Sequence, residues 1–112
     1  MKTKSVIIAL TALAQESRLA IFRRLVKAGP EGMSAGKLAE ELKIPASSLS
    51  FHLKELTQAD LIIPLQQSRF IFYSANFTTI NSLLDFLTEN CCEDKACLTD
   101  CLVQCPTNKE KS

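Results

Sequence analysis

Two short helical patterns joined by a tight turn lie near the middle of the sequence. Ser34 is suited to cap a helix that carries Leu38 and Leu42, and a turn at residues 43–45 leads into a second pattern over about residues 46–58. Two short helices joined in this way are typical of a helix-turn-helix, whose second helix enters the major groove of DNA. The sequence therefore predicts a mainly helical fold with a DNA-reading helix.

The pattern that follows has the period of extended strands. Residues 61–66 and 69–74 are rich in branched and aromatic side chains and flank the polar turn Gln66-Gln67-Ser68-Arg69. We therefore predict a small β-hairpin directly after the second helix, which is the order of a winged helix-turn-helix. Arg69 at the hairpin tip is then placed to contact the DNA backbone or the minor groove.

Three further helices complete the predicted domain. They cover about residues 3–14, about residues 16–28, and a last stretch that Asn76 can cap. Apolar side chains recur at helical spacing along each of them, and these stripes are Val6, Ile7, Leu10 and Leu13, then Leu19, Phe22 and Val26, and finally Phe77, Ile80, Leu84 and Leu87.

The second helix of the central pair has two different faces. At about 100° per residue, its leucines point one way and a small polar set with one aromatic points roughly the other way. The leucines are Leu49, Leu53 and Leu56, and the opposite set is Ser47, Ser50, Phe51 and Lys54. Hydroxyls can meet base edges or phosphates, a lysine can meet phosphate, and a phenylalanine can touch a thymine methyl. Face composition alone fits an ordinary surface helix equally well, and the hairpin that follows favours DNA reading.

Length and composition favour one domain outside the membrane. The 112 residues, 46% of them hydrophobic, suffice for a single core. No apolar run approaches the roughly 20 residues that a spanning helix needs, and the N-terminal residues lack the layout of a signal peptide. We expect a cytoplasmic protein with no membrane partner. The net charge of +1 would not by itself indicate nucleic-acid binding.

The central helices resemble the ArsR/SmtB family of metalloregulators. The motif Ser-x-x-Ser-x-His-Leu-x-x-Leu over residues 47–56 resembles the family's DNA-binding core, and residues 10–22 resemble its opening pair of helices. The resemblance covers about residues 7–98. It implies a homodimer built from the first and last helices, which binds an imperfect palindrome in double-stranded operator DNA and represses transcription until an inducer arrives.

The sequence departs from the family pattern at two places. Ser68 stands at the hairpin tip, where family wings often carry glycine. The Cys-x-Cys pair that many relatives keep before the reading helix is absent, and the segment Ala35–Ala39 holds its place. The inducer must therefore bind elsewhere. The only histidine, His52, flanks the leucine stripe and is expected to pack or hydrogen-bond within the protein rather than to bind a metal.

All five cysteines lie between Cys91 and Cys105. An odd number confined to one end does not form a disulfide framework, and crowded thiols in a reducing compartment typically bind soft metals or respond to oxidants. Cys91, Cys92 and Cys97 are close enough in the chain to surround one ion. Trivalent arsenic and antimony favour three sulfur donors in a pyramid, whereas zinc usually takes four ligands. The spacing therefore favours a three-sulfur metalloid site.

A second resemblance concerns this cysteine segment. Glu89-Asn90-Cys91-Cys92 with a cysteine a few residues on resembles the arsenic-responsive subgroup of ArsR repressors, which bind arsenite just after the last helix. It implies a ligand role for Cys91, Cys92 and Cys97, with As(III) as inducer, or Sb(III) or methylarsenite, and no organic cofactor. We accordingly assign residues 1–90 to a winged-helix DNA-binding and dimerisation domain and residues 91–112 to a cysteine-rich inducer-binding tail.

Other uses of the thiols remain open at this point. Cys97, Cys101 and Cys105 are spaced to share one helical face and form an alternative triad. The same fold could sense thiol oxidation or zinc, cadmium or lead, and a thiol-rich protein could simply buffer a metal. An enzyme is disfavoured, because the sequence has no Cys-x-x-Cys motif, no βαβ pattern around the thiols and no phosphate-binding glycine loop.

Overall fold

The computed structural model describes residues 1–89, which contain five helices and three strands. The helices are α1 (Thr3–Leu13), α2 (Glu16–Ala28), α3 (Ala35–Leu42), α4 (Ala46–Gln58) and α5 (Phe77–Leu87). The strands are β1 (Met33–Ser34), β2 (Ile62–Gln67) and β3 (Phe70–Ala75). The predicted fold class, a mainly helical winged helix-turn-helix, is confirmed. The predicted tail, residues 91–112, lies outside the described residues.

The helix boundaries follow from local hydrogen bonds. The side chains of Ser34 and Asn76 each accept a hydrogen bond from the backbone N–H three residues on, at 3.3 Å, so both predicted caps are confirmed. Gln15 caps α2 in the same way. Lys43 ends α3 in the left-handed region, at φ 56°, and the chain turns there into α4. These local signals explain why the helix limits are readable from the sequence.

The sheet contains one strand that the sequence analysis missed. β2 and β3 pair antiparallel from Ile62–Ala75 to Gln67–Phe70, which leaves the predicted hairpin with a two-residue turn at Ser68 and Arg69. β1 pairs with the other edge of β3, so that β3 is central in the order β1-β3-β2. A two-residue strand is too short to show an alternating pattern, and this is why it was not predicted.

Strand β2 is an edge strand with proline at its centre. Pro64 lies opposite Tyr73 of β3. Proline has no N–H to donate, and within sheets it is tolerated where that group would point away from the partner strand. The strand therefore pairs with β3 on one side only.

The core lies between the helix-turn-helix, α2 and the base of the hairpin. Leu49, Leu53 and Leu56 of α4 are at most 3% exposed and pack with buried side chains from each of these elements. Their main neighbours in the cluster are Ile21, Leu25, Leu38, Leu61 and Ile62. Each buried leucine of this size stabilises the fold by about 1.5 to 3 kcal/mol. The inner face of α4 is therefore anchored along most of its length.

The stripes predicted for the outer helices are only partly buried. In α1 the core face consists of Val6, Ala9 and Ala12, while Ile7 and Leu10 are exposed. In α2 the buried residues are Ile21, Phe22 and Leu25, and Leu19 and Val26 lie at the surface. In α5 only Thr79 and Leu83 are buried, and Phe77, Leu84 and Leu87 are exposed. The sequence pattern identified apolar stripes but not which of their side chains a single chain buries.

The junction of α1 and α2 is sharply bent. Arg18 of α2 donates a 2.7 Å hydrogen bond from Nε to the carbonyl oxygen of Ala12, near the end of α1.

Among residues 1–89 no single helix is long and apolar enough to cross a membrane. Within these residues, only α1 and α2 taken together reach the length and composition of a membrane span, and their axes are bent by 100° where they meet.

Candidate nucleic-acid interface

The outer face of α4 is polar and accessible. Ser47, Ser50, Phe51 and Lys54 are all exposed, and Phe51 keeps 55% of its surface free. They lie opposite the buried leucines of the same helix, so the predicted division of α4 into two faces is confirmed. With 13 residues, α4 is about 20 Å long, which suits a helix lying in a major groove.

Two further features of α4 were missed in the sequence analysis. Gln58 is exposed one turn beyond Lys54 on the same face, and the spacing 47, 51, 54, 58 would have revealed it. Ser48 is also exposed in the first turn, where no side chain caps the helix. Serine and glutamine side chains can both donate and accept hydrogen bonds, so the exposed polar surface of α4 is longer than predicted.

The wing presents Arg69 at its tip. Arg69 is exposed in the two-residue turn, and Ser68 beside it has a φ of 58°, a conformation that favours glycine. Serine thus adopts at this tip a conformation that glycine takes without strain. Because β1 directly precedes α3 and pairs with β3, the sheet also fixes the wing relative to the helix-turn-helix.

The charged side chains near this surface divide into paired and unpaired groups. Nε of Arg24 on α2 donates to Oε1 of Glu41 on α3 at 2.8 Å, and this hydrogen bond is the main reason that the pKa of Glu41 lies below its ordinary value. Within residues 1–89, neither Lys54 nor Arg69 takes part in an ion pair. Both cations are therefore available to phosphate groups.

His52 contacts groups within the protein. It is half-buried, its Nδ1 lies 3.4 Å from Nη1 of Arg18, and its ring packs edge-on against Phe51 with centroids 5.7 Å apart. In the part of the chain that the structure describes, no three His, Cys, Asp or Glu side chains come together in a metal-binding group. Cys91, Cys92, Cys97, Cys101 and Cys105, the predicted metalloid ligands and their alternatives, lie outside that part.

Comparisons with known proteins agree with this architecture. A family model described as a helix-turn-helix domain matches residues 13–64, which include α2, α3 and α4. The transcriptional repressor SdpR of Bacillus subtilis is 39% identical over 69 residues, which cover 58% of this chain and 74% of that protein. An ArsR-like transcriptional regulator from Rhodococcus sp. RHA1 has the same fold, with a TM-score of 0.72 at 24% identity over 90% of this chain and 93% of the other. The chain belongs to the ArsR/SmtB family.

A second solved structure extends the comparison. NolR from Sinorhizobium fredii is 31% identical, with a TM-score of 0.62, and the match covers 77% of this chain and 83% of NolR. Helix-turn-helix regulators of the ArsR/SmtB family bind DNA, and this chain, as a member of the family, is a transcriptional regulator. The family named from the sequence motif is confirmed.

Proposed function

We propose that this regulator is a homodimeric repressor that releases operator DNA when trivalent arsenic binds Cys91, Cys92 and Cys97. The proposal that the protein binds DNA rests on the exposed polar face of α4, which is held in place by the buried leucines on the opposite face of the same helix. Repression is supported by the likeness to SdpR, which is named a transcriptional repressor.

The DNA contacts fall into two classes. Ser47, Ser50 and Phe51 contact base edges in the major groove, where hydroxyls are versatile partners and an aromatic ring fits a thymine methyl. Lys54 and Arg69 contact phosphates, or in the case of Arg69 the minor groove beside the wing. The first class sets sequence preference, and the second sets affinity and its salt dependence.

The exposed apolar side chains of α1 and α5 support a homodimer. Ile7 is 57% exposed, Leu84 54% and Leu87 55%. Large apolar side chains in contiguous stripes at a surface typically mark an interface. A second copy of the chain would cover them and supply a second reading helix, so that two half-sites about 34 Å apart are read together.

The position of the cysteines supports their role as sensor. Cys91 is four residues beyond Leu87, the last residue of α5, so the tail begins where an apolar stripe of the proposed dimer interface ends. Binding three thiols to one metalloid ion would constrain the chain that leaves α5 and alter the angle between subunits. A hundredfold loss of operator affinity requires only about 2.7 kcal/mol of preference for the released state.

A gel-shift experiment on the promoter of the protein's own gene tests the proposal. Full-length protein should shift this DNA, and arsenite should abolish the shift. Replacing Cys91, Cys92 or Cys97 singly by Ser should preserve the shift and remove the arsenite response, with Cys101→Ser and Cys105→Ser as matched controls. X-ray absorption should report three sulfur neighbours around arsenic and no nitrogen.

Other outcomes identify the competing functions. Release by zinc, cadmium, lead or an oxidant, but not by arsenite, would indicate a different inducer on the same fold. Strong metal binding without any promoter shift would indicate a metal-buffering protein. Loss of the response in Cys101→Ser or Cys105→Ser but not in Cys91→Ser would move the site to the alternative triad.

A further inference from the structure

We infer that Arg18 is a positioning residue for DNA recognition, which sets the orientation of α4 relative to α1 without touching DNA itself. The inference rests on the proposed role of α4 as the reading helix. Arg18 lies on α2, away from the exposed face of α4, yet its guanidinium contacts both of the other helices. Arg18 therefore links α1, which has an exposed apolar stripe, to α4, the helix proposed to enter the major groove of DNA.

On the α1 side, the link is a short charge-assisted hydrogen bond. Nε of Arg18 donates to the carbonyl oxygen of Ala12 at 2.7 Å. That carbonyl lies in the last turn of α1, where carbonyl groups have no partner within the helix and where a positive charge is favourable. The backbone N–H of Arg18 is held as well, since it donates to Oε1 of Gln15 at 2.9 Å. Hydrogen bonds thus hold both the backbone amide and the guanidinium of Arg18.

On the α4 side, the link is to His52. Nη1 of Arg18 lies 3.4 Å from Nδ1 of the imidazole. Because a guanidinium can only donate, Nδ1 must accept, and the neutral ring then carries its proton on Nε2. The same ring packs edge-on against Phe51 at 5.7 Å and 62°. Phe51 lies on the reading face, so a displacement of His52 would reach a side chain proposed to contact bases.

A solvent-open groove lies beside this polar link. It has a volume of about 230 Å³ and is lined by Ile8 and Thr11 of α1, Glu55 and Gln58 of α4, and Arg18. Nearer the core the two helices pack together, since Ala9 and Ala12 belong to the same buried cluster as the leucines of α4. At the edge of that contact the planar guanidinium holds two acceptors in a fixed geometry, which a lysine ammonium cannot reproduce.

The test compares Arg18→Met with Arg23→Met, a control at an exposed position on the same helix. Affinities are measured for two duplexes of roughly 30 base pairs, long enough for two half-sites. One is the site that the wild-type protein protects in its own promoter, and the other has the same bases in scrambled order. Each affinity is measured over a range of salt concentrations.

We expect Arg18→Met to bind the promoter site about tenfold more weakly, the effect of losing roughly one base contact. Affinity for the scrambled duplex and the salt slope should not change, and Arg23→Met should keep the wild-type ratio of the two affinities. An unchanged ratio in Arg18→Met would overturn the inference. An equal loss on both duplexes, with a salt slope reduced by about one, would also overturn it, because that is the signature of a direct phosphate contact.

Variants of His52 keep the test decisive if Arg18→Met unfolds. His52→Asn retains an acceptor near the position of Nδ1 and should keep most of the discrimination between the duplexes, whereas His52→Leu should lose it. If His52→Asn and His52→Leu, compared at matched thermal stability, show the same ratio of affinities for the two duplexes, the proposed link between Arg18 and His52 is refuted. Wild-type protein that does not distinguish the duplexes would refute the proposed function itself. A discriminating wild type with equally discriminating variants would refute only the positioning role.

Discussion

Replacing Gly32 by Ala should destabilise the domain, because Gly32 lies against the central strand of the sheet. Its φ is 73°, and an added Cβ would overlap the carbonyl oxygen of Tyr73 and lie 2.8 Å from the carbonyl carbon. A non-glycine residue in such a conformation costs about 1 to 3 kcal/mol, and forcing an atom into occupied space costs about 1 to 3 kcal/mol more. The expected loss of about 2 to 6 kcal/mol is a large part of the roughly 5 to 15 kcal/mol by which such domains are stable.

The chain offers two matched controls. Gly29 has a φ of 82° and a ψ of −166°, but an added Cβ would meet nothing within 4 Å, so Gly29→Ala should cost the conformational strain alone. Gly36 lies in α3 with open space around it, and Gly36→Ala should stabilise the protein by roughly 0.5 to 1 kcal/mol. Any change in the entropy of the unfolded chain is common to all three substitutions.

Urea unfolding followed by circular dichroism measures the three free energies. The expected order of stability is Gly36→Ala above wild type, wild type above Gly29→Ala, and Gly29→Ala above Gly32→Ala. A Gly32→Ala protein as stable as Gly29→Ala would refute the close approach to Tyr73, and with it the pairing of β1 with β3. Since that pairing fixes the wing against α3, Gly32→Ala should also weaken operator binding at temperatures where it remains folded.

Three further predictions concern charge and assembly. Lys54→Ala should weaken binding to every DNA sequence alike and lower the salt slope by about one, as measured by titration at several salt concentrations; a selective loss on one sequence would contradict a phosphate contact. Leu84→Glu should shift the sedimentation mass from dimer to monomer, and Thr78→Glu, about 120° around α5 from Leu84 and also exposed, should not; an unchanged mass for Leu84→Glu would argue against this interface. Glu41→Gln should unfold at lower urea than wild type at neutral pH. Because the hydrogen bond from Arg24 lowers the pKa of Glu41 in the folded state, this difference should disappear as the pH falls through that lowered pKa, and a difference that persists in acid would contradict the ion pair.

The features predictable from the sequence are those with a local cause. Ser34 and Asn76 cap helices through hydrogen bonds that span three residues, and the leucines of α4 recur at the period of its own helix. The division of α4 into a buried and a polar face follows from the same short-range pattern. A strong local signal of this kind does not depend on the rest of the chain.

The features that were missed depend on distant parts of the chain. Met33 pairs with Tyr73 across 40 positions, and Arg18 reaches His52 across 34. Nothing within either segment marks its partner. The apolar stripes of α1 and α5 show a related ambiguity, since Leu83 is buried in the core whereas Leu84 is 54% exposed. Apolar spacing predicts a surface that avoids water, and it does not reveal whether the same chain or another one covers it.

Pro64 has a consequence for how this protein behaves when concentrated. Its strand lies at the edge of the sheet, and Ile63 and Leu65 beside it are 45% and 56% exposed. An apolar edge strand is a template on which other chains can add strands and begin to aggregate. A proline at the centre interrupts the row of amide donors that such growth requires. The wing therefore exposes Ile63 and Leu65 on a strand whose free edge offers fewer amide donors to a strand from another chain.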